Sequence, residues 1–254
     1  MLLAIRHITI LDYAAPVCAA IQYLRLRPRS DGGQKVVRWR IQVAGRLSAW
    51  QDCHGNDVDT LVIDSPTARV EVIAEGEVDT SITPRSTDVG MASDVYLRTS
   101  TLTAVDADLA AFAKSQMPAG LDALAVAVHS AILSRTKEDE IMATAAQAFA
   151  EGCGTSIDLA HVFIACCRSC GVPARYVSGY IDSPTGATIH AWAEALTADG
   201  WIGYDPALGA RVGLGHVVLA IGLDHDDTGI AIGPHRIGGT DQVTMGVRVG
   251  QIQQ

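Results

Sequence analysis

Three side chains that together could attack an amide carbonyl fall within one stretch of this chain. Ser156 lies in GCGTSIDLAH, His190 in ATIHAWAEAL and Asp205 in GWIGYDPALG. A nucleophile, an imidazole base and a carboxylate to orient the base are the parts of an acyl-transfer site. Gly152 and Gly154 allow a tight turn before Ser156, and Thr155 can cap the helix that follows. A side chain at that helix start feels the positive end of the macrodipole. Free backbone N–H groups there can receive a developing oxyanion. The same field would lower a thiol's pKa. It cannot make much alkoxide, so a serine there depends on its base.

Strand periodicity supports the grouping. Alternation in ATIHAWAEAL puts His190, Trp192, Glu194 and Leu196 on one face, and Ile189, Ala191, Ala193 and Ala195 on the other. Trp201, Gly203 and Asp205 share a face of the next strand. A loop centred on Thr197–Ala198 would set His190 opposite Asp205, whereas a tight turn at Asp199–Gly200 would set Glu194 there. The two registers differ by an even number of residues, so His190 and Asp205 share a face in either. Taken singly, Ser156 is explained by helix capping, His190 by strand packing and Asp205 by a turn before Pro206. Order and placement together favour catalysis. Asp158 and His161, one helical turn apart, read as an ion pair or as support for the site, with His161 the alternative base.

The elements that must hold these residues follow from the patterning. LAIRHITILDY, AIQYLRLRP, VVRWRIQVAG, VDTLVIDS and ARVEVIAEGEV alternate and are separated by turn signals. They predict an antiparallel β domain over residues 1–80. Residues 79–104 read as a connector, and a catalytic core occupies 81–254. Helical spacing places Ala110, Phe112 and Met117 on one helix and Leu121, Leu124, Val128 and Ile132 on a second. A third runs from about Glu138 to Phe149, and the helix carrying Ser156 runs to Cys170, where Gly171-Val172-Pro173 stops it. Strands are expected at Arg175–Ile181, Ile189–Leu196, Trp201–Tyr204, His216–Ile221 and Val243–Val249. The fold class is α+β.

Composition excludes several functions. A net charge of −9 argues against nucleic acid or an anionic membrane as partner. The start, MLLAIRHITILDY, lacks the basic region and cleavage site of a signal peptide, and no apolar run reaches the ~20 residues of a bilayer span. Cys18, Cys53, Cys153, Cys166, Cys167 and Cys170 form no disulfide framework, which points to a reducing, cytoplasmic setting. The Cys167–Cys170 spacing has no second metal-binding pair, so Cys166, Cys167 and Cys170 are read as buried small hydrophobes. The chain contains no phosphate loop or HExxH, and Asp224-His225-Asp226-Asp227 lacks calcium-loop spacing and is read as a solvated acidic loop. No cofactor and no metal are expected.

The motifs resemble those of the bacterial transglutaminase-like superfamily, whose nucleophile motif G-x-C-x-D-x-A-H aligns with Gly154, Ser156, Asp158, Ala160 and His161. The helix then runs into Gly171 to Tyr180 (GVPARYVSGY), as in that family. Its H-A-W-x-E motif is similar to His190–Glu194, and its W-x-G-x-D-P motif to Trp201, Gly203, Asp205 and Pro206. HITILDYAAPV, LRLRPR and the turn Asp52–Asn56 resemble the family's bacterial N-terminal region, and GHVVLAIGLDHDD its segment after the triad. The resemblance implies a papain-like core with a Cys-His-Asp triad acting on amide bonds through an acyl-enzyme. It implies His190 as base, Asp205 as its orienter, and a peptide or small amide as partner. Asp158, His161 and Trp192 are the expected binding or supporting residues. Ser156 stands where that family has Cys. It reads as an engineered Cys-to-Ser change, with a natural serine nucleophile and a natural loss of catalysis as alternatives. Loss of catalysis would leave a binding protein that retains the cleft.

Overall fold

The computed structural model describes residues 1–17, 20–31, 33–80, 91–135, 142–183, 186–229, 231–232 and 242–251. Cys18, residues 81–90 of the connector and most of the first half of the third expected helix lie outside them. The α+β expectation holds, with an N-terminal antiparallel β region ahead of a mixed helical and β core.

Six strands open the chain: β1 (Leu2–Val17), β2 (Ala20–Leu24), β3 (Lys35–Val43), β4 (Arg46–Gln51), β5 (Asp57–Ile63) and β6 (Thr67–Asp79). The alternating segments named above overlap all but β4, which falls in none of them and is mostly exposed, and β1 runs four residues beyond its segment to Val17. Helices α1 (Ala107–Gln116) and α2 (Leu121–Ala131) lead to a two-residue strand β7 (Leu133–Ser134), α3 (Ala145–Glu151) and its parallel partner β8 (Cys153–Gly154). Then come α4 (Ser156–Ser169), β9 (Ala174–Ser183), β10 (Gly186–Thr197), β11 (Gly200–Asp205), β12 (Ala210–Arg211), β13 (His216–Gly222), the single turn α5 (His225–Thr228), β14 (Ala231–Ile232) and β15 (Gln242–Gln251).

Sheet order shows how the two regions interlock. β12-β11-β10-β9-β13 form the central antiparallel sheet, while β15-β1-β6-β3 and β14-β2-β5-β4 form the two sheets of the N-terminal region. The last strand thus returns to pair with the first, Ile5 opposite Val249 and His7 opposite Val247. On one side the central sheet packs Ala191, Ala193 and Ala195 of β10 against α4, which buries Leu159, Val162, Phe163 and Cys166. Small residues on the strand let the helix approach closely. Each large aliphatic side chain buried there contributes roughly 1.5–3 kcal/mol.

The other side joins the N-terminal core. Tyr180, Val217 and Leu219 share one cluster with Leu3, Ile5, Leu61 and Val72. The inward face of β1 carries two polar residues into that cluster, and both are satisfied. His7 Nδ1 bonds the Tyr180 hydroxyl at 2.8 Å, and its Nε2 bonds Thr9 Oγ1 at 2.9 Å.

β13 lies at the end of its sheet, and an open strand edge needs cover. Side-chain amides supply it. Gln34 Nε2 donates to the Val218 carbonyl and Gln34 Oε1 accepts the Val218 N–H; Asn56 does the same to Ile221. Two amides thus take the place of a neighbouring strand, close to where β13 bulges between Val218 and Ala220. Arg168, at the far end of α4, donates to carbonyls of Tyr96, Ala174 and Leu223, tying the connector and two strand ends to the helix. Burial pushes its pKa down to about 10.

Candidate active site

Ser156 is the first residue of α4, as the capping signals require. Thr155 is the N-cap, and the Asp158 side chain closes the reciprocal bond, accepting the Thr155 N–H at 2.8 Å. Asp158 therefore shapes the turn that presents Ser156. The backbone N–H groups of Ser156 and Ile157 have no partner among the described residues, leaving two donors at the positive end of the helix. Ser156 Oγ accepts the Ala191 N–H at 3.4 Å, which places the hydroxyl against β10 one residue beyond His190.

His190 Nε2 and Asp205 Oδ2 lie 2.7 Å apart. An ionised carboxylate can only accept, so His190 carries its proton on Nε2 and keeps a lone pair on Nδ1. Asp205 is fully buried, and its other oxygen accepts the N–H groups of Ala207 and Leu208. Burial pushes this carboxyl up. The hydrogen bonds from His190 and His216 outweigh it and hold the group at about 2. Asp205 is a fixed anion at any physiological pH.

The β10–β11 register is neither of the two expected. Glu194 pairs with Gly203 and Thr197 with Gly200, so a turn at Ala198–Asp199 makes the connection. Thr197 closes that turn, its hydroxyl donating to the Gly200 carbonyl and accepting the Asp199 N–H, while Gly200 takes φ 102°. This register still differs from both expected ones by an even number, so His190 and Asp205 share a face and meet diagonally.

Trp192 occupies the same face and is fully buried, so it supports the imidazole and presents no surface to a substrate. Its ring stacks near His190, with centroids 6.3 Å apart. Gly179, opposite His190 on β9, makes room for it: a Cβ there would strike the Val217 carbonyl and come within 2.5 Å of the Trp192 ring. Gly179→Ala should therefore destabilise the protein by roughly 1–3 kcal/mol and slow any reaction that uses His190. Urea unfolding checks the first effect; unchanged stability would show that the strand pair can spread without loss.

Asp158 and His161 form no ion pair. His161 is fully buried, and its Nε2 accepts the His225 N–H at 3.2 Å. Burial pushes its pKa to about 3, with His225 and Arg168 adding to the fall. The ring is a neutral prop beneath the helix. Asp224–Asp227 also departs from expectation, being no solvated loop. Asp224 is buried and caps α5, and Asp227 accepts from the Leu223 N–H and pairs with His54 at 3.3 Å, because the segment folds back onto the sheet. Cys166 and Cys167 are buried as expected, while Cys170 at the helix end is half-buried.

One site residue escaped the sequence reading. His216, at the start of β13, places its Nε2 2.9 Å from the same Asp205 Oδ2 that holds His190. The signal available was its position as the first residue of an apolar strand, which does not mark chemistry. His190, Asp205 and His216 bring one ligand atom each within 4.8 Å of one another, as a bound divalent ion would need. Spacings of 2.7 and 2.9 Å are also those of N–H···O bonds, which account for the arrangement. A cavity of about 700 Å³ opens elsewhere, lined by Arg6, Arg38, Arg40, Glu75 and Arg248 of the β15-β1-β6-β3 sheet, and none of Ser156, His190 and Asp205 lines it.

Several known proteins are similar to this chain. An uncharacterised Mycobacterium leprae protein, ML0607, is 29% identical over 248 residues, covering 87% of this chain and 88% of its own. An uncharacterised Mycobacterium tuberculosis protein, Rv2569c, is 35% identical over 88 residues, 29% of this chain and 28% of its own. A solved structure described as "a Putative Cysteine Protease from Cytophaga hutchinsonii" superposes with a TM-score of 0.82 at 19% identity, covering 100% of this chain and 91% of its own, and so shares the fold. Residues 3–79 match the family model of the bacterial transglutaminase-like N-terminal region, and residues 104–206 match that of the transglutaminase-like superfamily.

Proposed function

We propose that this chain is an amide-bond hydrolase or acyl transferase of the transglutaminase-like type, in which position 156 bears the nucleophile. The observation that carries this reading is the His190–Asp205 bond made through Nε2, which frees Nδ1 for a proton from the nucleophile. The matches to the transglutaminase-like models support it. The division into an N-terminal β domain over 1–80 and a catalytic core from 81 onward belongs to the same proposal, as does a cytoplasmic setting.

In this mechanism the nucleophile's heteroatom attacks the amide carbon while His190 Nδ1 takes its proton. The carbonyl oxygen becomes an oxyanion, received by the N–H groups at the start of α4. His190 then returns the proton to the departing amine, leaving an acyl-enzyme. Water or a second amine attacks that ester or thioester, again through His190. Asp205 stays ionised throughout and stabilises the imidazolium. The peptide or small amide lies across the start of α4 and β10.

Ser156 limits the rate of this chemistry, since the helix field can generate a thiolate but little alkoxide. Ser156→Cys should convert a sluggish or silent protein into an active one on a panel of peptides, isopeptides and glutamine amides. Its thiol should react with iodoacetamide with a midpoint well below the ~8.5 of a free thiol. The serine also favours a second reading, a binding protein that retains the cleft. A well-folded Ser156→Cys variant with no turnover and a free-thiol midpoint would establish that reading instead.

A further inference from the structure

We infer that His216 is a positioning residue of the site, a second imidazole that clamps Asp205 and divides its charge with His190; the inference rests on the catalytic reading above. Asp205 Oδ2 receives two imidazole Nε2 atoms, His190 at 2.7 Å and His216 at 2.9 Å, while Oδ1 receives two backbone N–H groups. Four donors surround one fully buried carboxylate. Its orientation is therefore fixed from both sides of the group.

The His216 tautomer is fixed as well. Asp205 is ionised and can only accept, so a ring proton sits on Nε2, facing it, while Nδ1 lies against the Gly213 backbone, 3.2 Å from its N–H and 3.3 Å from its carbonyl oxygen. Its ring meets Trp192 edge to face at 5.1 Å and lies 6.1 Å from the His190 ring. Three strands thus converge: β13 brings His216, β10 brings His190 and Trp192, and the end of β11 brings Asp205. Sequence separation is no obstacle, because β13 and β10 flank β9 in the same sheet.

A shared acceptor has a chemical consequence. Two donors on one oxygen each withdraw electron density from it, so each bond is weaker than it would be alone. His216 therefore prevents Asp205 from holding His190 too tightly, while keeping the carboxylate aligned when the imidazole moves toward the nucleophile. Removing the second donor strengthens the first bond.

Proton NMR on the chain as it stands, with no substrate, tests this. Two far-downfield imidazole N–H resonances are expected, one from each histidine on Asp205. His216→Phe keeps the ring packed on Trp192 and removes the donor; the His216 signal should vanish and the His190 signal should move further downfield. His216→Gln restores an N–H at the Nε2 position and should return the His190 signal to its original place. A structural role for the ring predicts that neither variant moves that signal, and an unmoved signal in His216→Phe overturns the inference. So does an equal shift in both variants. Should His216→Phe fail to fold, His216→Asn, too short to reach Asp205, gives the same comparison against Gln. In the Ser156→Cys background, alkylation by iodoacetamide at neutral pH should rise roughly fivefold with His216→Phe and return with Gln. An inert thiol beside the expected resonance shifts supports the clamp and overturns the catalytic reading alone. A reactive thiol with an unmoved resonance overturns the clamp alone.

Discussion

Asp205→Asn in the Ser156→Cys background should cut amide turnover by orders of magnitude while leaving the fold intact. The reason lies in which oxygen does what. Oδ1 accepts the Ala207 and Leu208 N–H groups, so an asparagine must keep its carbonyl there and place its NH2 where Oδ2 was. That NH2 then faces His190 Nε2, which must accept from it. The imidazole proton is driven to Nδ1, the nitrogen on which the proposed base needs a lone pair. The same substitution in a Ser-His-Asp triad costs about 10⁴-fold through the wrong tautomer, and a loss on that scale is expected here. A residue serving only as a turn former before Pro206 would tolerate asparagine. Turnover on the amide panel, beside a thermal melt of both proteins, distinguishes the two. Equal rates would remove Asp205 from the chemistry and direct attention to Glu194, which Arg175 holds at 2.7 Å.

The legible parts of this site were those governed by local rules. Thr155 as cap, Ser156 as first helical residue and the even register of β10 and β11 depend on neighbours within a few positions or on strand parity. Parity survived even though the turn was placed wrongly. The exact turn was not legible because Thr197, rather than the Asp199–Gly200 pair, sets it through its hydroxyl. His216 was missed for a different reason. Its role depends on β13 lying beside β9, a pairing that no local pattern encodes. The same holds for β15, whose strand character was evident but whose place beside β1 was not. Gln34 and Asn56 are ordinary loop residues in the sequence; they acquire a function only when β13 presents an uncovered edge. Tertiary partners chose these roles.

Acid should unfold the protein well before its carboxylates titrate, because two neutral histidines are sealed inside it. Burial pushes His7 to about 4 and His161 to about 3. In the unfolded chain each titrates near 6.5. A group whose folded pKa is depressed contributes its stability above the unfolded value and loses it as pH falls toward the folded one. The window here runs from about pH 6.5 down to 4 for His7 and to 3 for His161. By pH 4 each should have lost on the order of 3 kcal/mol, a large part of an ordinary domain's stability. The surroundings offer little relief to a proton. His161 has His225 and Arg168 nearby and already accepts at Nε2, and His7 has only the hydroxyls of Tyr180 and Thr9. Asp205 acts later, its contribution present above about 4 and lost toward about 2. Urea midpoints measured from pH 7 to 4 should therefore fall steeply, and His161→Gln, which cannot titrate, should flatten the slope whatever it does to stability at pH 7. A slope unchanged by that substitution would mean that the helix opens enough to hydrate the protonated ring, and that α4 is less firmly seated on the sheet than its packing implies.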